Sequence, residues 1–173
     1  MGNIIFKNII RAVLLILLQG VVLKGLVIDF PPFQHLNIFI YPIIFIILPM
    51  AVPMSVQLVI SFVVGTSIDF FYNTPGVHAA ASVAAAFIRP VVLRLLEPRG
   101  GYTVDGSPTA HTYGQSWFIT FVSILLGLHL FILFSIQVFT FYYIIDILLK
   151  TLLSFAGSIL FIMFYMLLFN PKY

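Results

Sequence analysis

Residues 68–87, IDFFYNTPGVHAAASVAAAF, put a carboxylate, a Pro-Gly break and an alanine-rich run in succession within an otherwise almost wholly apolar chain. Gly65, Asp69 and Asn73 fall at intervals of four and share one helix face. Pro75 and Gly76 end that helix. His78, Ala81 and Ala85 open the next, whose small side chains let a neighbouring helix come close. The stretch predicts a helical hairpin. Asp69 has two readings there. It caps the turn by accepting hydrogen bonds from Asn73 to His78, or it marks a ligand, proton or partner-helix site, as ionisable groups at membrane depth often do.

Composition explains why membrane depth is the relevant setting. Of 173 residues, 62% are hydrophobic and 8% charged, with a mean hydropathy of +1.17. A soluble domain carries roughly 25% charged residues, so a soluble fold is excluded. The absence of cysteine removes disulfides, thiolate metal sites and a cysteine nucleophile. A net charge of +3 implies no nucleic acid. About 20 apolar residues cross the bilayer core as a helix. Six spans are therefore expected in one all-α membrane domain covering 1–173: 4–26, 36–53, 54–71, 78–96, 115–135 and 141–169. The second and third are parted only by the uncharged turn LPMAVPMS, residues 48–55. No alternating ten-residue segments argue for a barrel. Near the N-terminus no small-x-small site follows the apolar run, which predicts an uncleaved first span. Phe6 stands where a myristoylation motif wants Ser or Thr.

Lysines and arginines set the expected orientation. Lys7, Arg11, Arg89, Arg94, Arg99 and Lys172 fall to one side, which the positive-inside rule makes cytoplasmic together with both termini and the loop 97–114. The opposite, outer side receives 29–35, 72–76 and the link near Gln137. Arg89, Arg94 and Arg99 form a candidate basic patch, either snorkelling to anionic headgroups or docking a cytoplasmic partner. Pro90 predicts a kink in the fourth span. His129, Asp146 and Lys150 form a candidate outer-half polar cluster that Asp69 could join. Asp146 precedes Lys150 by four residues, the favourable order for an ion pair, with snorkelling of Lys150 as the alternative. Enzymology finds little support. His35, His78, His111 and His129 are scattered without metal-ligand spacing, and no phosphate loop, dinucleotide fingerprint or nucleophile elbow occurs. The expectation is a non-enzymatic protein with no metal and no cofactor.

Gly65-x-x-x-Asp69, then Pro75-Gly76 and VHAAA (77–81), continued by AFIRPVVLRLLEPRGGY (86–102) and opened by NIIRAVLLILLQ (8–19), resembles the rod shape-determining MreD family, its Bacteroidetes-type members above all. The resemblance covers nearly the whole chain. It implies an inner-membrane scaffold of the cell-elongation, peptidoglycan-synthesising machinery. Such a scaffold binds MreC by helix packing and is linked through it to MreB, RodA and the partner transpeptidase. Ala81 and Ala85 would then offer the docking face. That family is similar in fold to the six-helix substrate-binding subunits of energy-coupling-factor transporters. The alternative is therefore a solute-binding subunit with Asp69, His78, His129, Asp146 and Lys150 around an outward-facing pocket.

Overall fold

The computed structural model describes residues 2–26, 36–103 and 106–169. The expected outer loop 29–35 and the terminal Lys172 lie outside them. All regular structure among the described residues is helical. Helix α1 (Gly2–Leu17) widens into a π turn at Leu18–Val22 and tightens into a 3-10 turn at Leu23–Leu26. There follow α2 (Ile43–Ile46), α3 (Met54–Tyr72), α4 (Val77–Leu95), α5 (Ala110–Tyr113), α6 (Gln115–Val138) and α7 (Ile144–Phe169). Among the described residues, five helices are long and apolar enough to cross a membrane: Asn8–Gly25, α3, α4, α6 and α7. Their outer faces carry Phe62, Phe87, Leu95, Leu152 and Leu160 in the open, the pattern of a multi-pass membrane protein.

The second expected span, 36–53, is a correction. Only α2 within it is helical, and residues 36–40 run without regular helix or strand structure. Pro42, Pro49 and Pro53 lack the N–H that a continuous helix needs, and each disfavours the helical conformation in the residue before it. The middle of the segment, residues 39–47, is nevertheless enclosed. Tyr41, Ile43, Phe45 and Ile46 are fully buried among the five helices. Non-helical backbone survives at membrane depth only where protein surrounds it, and that condition holds here.

Two ends of the bundle position everything else. At the hairpin end, α3 turns into α4 through Asn73, which adopts a left-handed φ of 55°, and Gly76 at 84°. Lys24 donates from Nζ to the Phe71 carbonyl at 2.5 Å, so α1 finishes beside the end of α3. At the opposite, loop end, Met50 N–H donates to the Gly106 carbonyl at 3.0 Å. Tyr102 and Trp117 donate to the carbonyls of Leu93 and Leu96, both at 2.7 Å, and satisfy the last turn of α4. Partial burial pushes the Tyr102 phenol above its ordinary value. The segment 36–53 thus passes from the hairpin end to the loop end alongside α3.

Candidate functional site: a threaded crossing and its polar clamps

The hairpin is built from Gly65 and Asp69 as a pair. A Cβ on Gly65 would lie 2.5 Å from Cα of Ala79 and 2.7 Å from the His78 carbonyl oxygen, so only glycine lets α3 and α4 touch backbone to backbone. One turn on, the buried Asp69 carboxylate accepts four hydrogen bonds: Thr74 hydroxyl at 3.0 Å, Gly76 N–H at 3.1 Å, His78 N–H at 2.9 Å and Ala79 N–H at 3.0 Å. The free amides of the first turn of α4 thus meet a negative charge at the positive end of the helix dipole. Of the two readings of Asp69, the geometry is that of the cap.

Residues 37–40 have no helical bonds of their own, and other helices supply them. Asn37 N–H donates to Ser154 Oγ at 3.1 Å and Phe39 N–H to Ser158 Oγ at 2.8 Å, both on α7. The spacing fits, since two residues of extended chain advance about 6.6 Å and four helical residues about 6.0 Å. Gly157, between the two serines, leaves room: a Cβ there would come within 3.1 Å of Leu36. From the other side the buried Gln19, in the π turn of α1, accepts from Ile40 N–H at 2.8 Å. Its amide donates to the Ile38 carbonyl at 2.9 Å and the Tyr72 hydroxyl at 2.8 Å.

Tyr41 comes next. Its hydroxyl lies 2.9 Å from His78 Nδ1 and 2.7 Å from His129 Nε2, and all three side chains are inaccessible. A single O–H donates to only one imidazole, so the other ring must donate to the phenol oxygen; because the contacts use Nδ1 of His78 and Nε2 of His129, the two neutral rings carry the same tautomer, both Nε2–H or both Nδ1–H. Ser82 and the Ala81 backbone bear on this group. Ser82 Oγ, His78 Nε2 and His129 Nδ1 nonetheless make no hydrogen bond of normal geometry among the described residues. The rings of Phe39, Phe45 and Tyr72 close the surroundings, with centroids 5.1 to 5.8 Å from the imidazoles.

At the loop end Arg89 corrects the expected basic patch. Arg94 and Arg99 are exposed, but Arg89 is only 2% exposed and points into the bundle. Its Nε donates to the Ile46 carbonyl at 2.9 Å, Nη1 to Gln57 Oε1 at 3.0 Å, and Nη2 to the Leu48 carbonyl. All three acceptors are neutral oxygens, two of them on the chain leaving α2. Gln57 extends the network. Pro90 cannot bond back to the Ala86 carbonyl, and Gln57 Nε2 fills that vacancy at 2.9 Å. The helix runs on through Pro90 to Leu95.

The other expected groupings are not formed. His129 pairs with Tyr41 and His78, while Asp146 is exposed and Lys150 half-buried on α7, neither with a hydrogen bond or ion pair among the described residues. Ala81 and Ala85 are fully buried, so the expected docking face of α4 is already covered by the chain itself. No group of three metal-ligating side chains gathers among the described residues. Gln19, Tyr41, Gln57, Ser154 and Ser158 escaped the sequence reading. The signal was present, since Gln19 and Gln57 are amides inside apolar spans and Ser154 and Ser158 share a helix face.

Two clefts flank α1. One, of about 470 Å³, lies between Asn8, Arg11, Ala12 and Leu15 of α1 and a wall that runs from Ile44 to Ile60. The second, of about 370 Å³, lies between Val13 and Leu17 on one side and Phe70 and Phe71 on the other. Tyr41, His78 and His129 line neither. Comparison with models of known families, with curated proteins and with solved structures finds no match to this chain.

Proposed function

We propose that the chain is a non-enzymatic scaffold of the bacterial inner membrane, of the MreD type, which holds the transmembrane helix of MreC. Through MreC it links to MreB, RodA and the partner transpeptidase. The observation that carries this reading is the use made of polar groups at membrane depth. Asp69 holds residues 74–79, Gln19 and the two serines hold 37–40, and Arg89 with Gln57 holds 46, 48 and 86. Groups fixed on the chain's own backbone support a rigid frame for partner helices, and they leave few to receive a solute. The alternative, an outward-facing solute pocket, draws less support. The Tyr41–His78–His129 group is closed on all sides, and both clefts are walled mainly by aliphatic and aromatic side chains.

The threaded segment acts as a sixth traverse, so α1 starts and α7 finishes at the loop end. With Arg11, Arg94 and Arg99 near that end, it is the cytoplasmic one. The deciding experiment is detergent purification of the tagged protein from cells that also make the MreC of the same genome. Co-purification of MreC at near-equal amounts is expected. A folded, monodisperse preparation that never retains MreC refutes the scaffold reading.

A further inference from the structure

We infer that the corner between α6 and α7, residues 139–143, is an interfacial anchor that seats the bundle in the lipid headgroup layer at the hairpin end. Three observations converge. First, the helices differ in length. Helices α3 and α4 have 19 residues each, α6 has 24 and α7 has 26. At about 1.5 Å per residue the shorter pair spans about 28 Å, close to the roughly 30 Å of hydrocarbon, and α6 exceeds it by about 8 Å. The excess falls at the hairpin end, because Trp117, near the start of α6, donates to the Leu96 carbonyl where α4 finishes. The Tyr41 hydroxyl likewise sets His129 level with His78, the second residue of α4, yet α6 runs on to Val138. The exposed, polar Asn73 keeps the α3–α4 turn at the edge of the hydrocarbon. Headgroups add about 5–8 Å on each side, so the longer corner stands in their layer.

Second, the corner has the wrong chemistry for water. Its sequence, FTFYY, is aromatic at four of five positions and has none of the Gly, Pro, Asn or Asp usual in solvent turns. Phe139 takes a left-handed φ of 51°, where helix ends favour glycine, and is 89% exposed. Tyr142 is 85% exposed. A ring held in a costly conformation without packing inside the protein gains its stabilisation outside it, and tyrosine, apolar in its ring and polar at its tip, concentrates at headgroup level. Third, these rings are continuous with the lipid-facing side of α7, where Ile145, Leu148 and Leu152 lie open. Phe70, 84% exposed near the end of α3, adds a ring beyond α4, which packs against both α3 and α6. Rings spread over a rim fit a bilayer surface better than a single partner chain. The same depth gives Asp146 and Lys150, in the first two turns of α7, a headgroup environment. This inference rests on the multi-pass membrane fold and is independent of the scaffold reading.

The chain has no cysteine, so one introduced thiol can carry a nitroxide without background. The test places the label at Tyr142→Cys, with Leu160→Cys on the open face of α7 as the hydrocarbon reference and Arg99→Cys in the loop as the water reference. In vesicles of phosphatidylglycerol and phosphatidylethanolamine, collision with oxygen and with a water-soluble nickel chelate reads the depth of each. The label at 142 should fall between the references, shielded from the chelate relative to 99 and from oxygen relative to 160. Phe139→Gly should not lower the thermal midpoint in detergent, because the ring packs on nothing and glycine suits that φ. In vesicles the same substitution should shift the label at 142 toward the value at 99. A label at 142 that matches either reference overturns the anchor, as does an unshifted label in folded Phe139→Gly. Shielding at 142 that vanishes when the protein is diluted in lipid, or that needs a co-purified protein, makes the corner a protein contact and overturns it too.

Discussion

The α3–α4 hairpin and the threaded segment 36–53 solve one problem in opposite ways. Both must hide backbone N–H and C=O groups from lipid, where an unsatisfied group is costly. The hairpin does so locally. Its helices bond to themselves, and the exposed amides at the turn meet Asp69, at most ten residues away. The threaded segment satisfies little by itself. Its partners are Gln19, Ser154, Ser158 and Arg89, up to 119 residues distant in sequence. A local solution makes a hairpin that can form early. A distant one makes a segment whose conformation exists only when the surrounding helices are assembled.

That contrast can be broken by removing the segment's strongest clamp. Arg89→Ala leaves the carbonyls of Ile46 and Leu48 and the oxygen of Gln57 without their donor. At roughly 1–3 kcal/mol per orphaned buried group, moderated by relaxation, the loss should be about 3–5 kcal/mol. The thermal midpoint in detergent measures it. Arg89→Lys should restore only part, because an ammonium lacks the planar fork that reaches three acceptors. Full recovery by lysine would show that charge alone matters there.

Gly65→Ala tests the hairpin's close approach. Its Cβ meets backbone and not a movable side chain, so α3 and α4 must separate, at about 2–3 kcal/mol in the same measurement. A neutral outcome would remove the backbone contact from the account of the fold.

Asp69→Asn is expected to cost about 1–2 kcal/mol, since the amide keeps one acceptor oxygen but turns N–H groups toward amides that need an acceptor. Amide exchange at Gly76, His78 and Ala79 should accelerate while the 37–40 amides stay protected. Loss of protection at both places would show that the hairpin and the segment are not separately held.

The smallest effect is expected for Ser158→Ala, about 1 kcal/mol, in line with single side-chain hydrogen bonds inside membranes. Its signature is local: faster exchange of the Phe39 amide and an almost unmoved thermal midpoint.

How much was legible follows from where each partner sits. Gly65, Asp69, Asn73, Pro75 and Gly76 lie within twelve residues and mark their hairpin by spacing, so the hairpin was readable, with capping as one of two readings of Asp69. Arg89 was misread because an arginine near the end of an apolar span normally snorkels to the headgroups. Its inward path is set by carbonyls more than 40 residues earlier in the chain. His129 was grouped with Asp146 and Lys150 by depth, but depth does not say which neighbour a helix face meets. Tyr41 decided that.

Hydropathy and the placement of turn residues were enough to establish an all-helical chain of apolar spans, because a lipid solvent admits few other backbones. Whether 36–53 crossed as a helix could not come from hydropathy, since a buried irregular segment and a helix are equally apolar. Its path depends on hydrogen-bond partners that approach only when α1, α4 and α7 have packed around it, and packing over such sequence distances leaves no periodic trace in the chain.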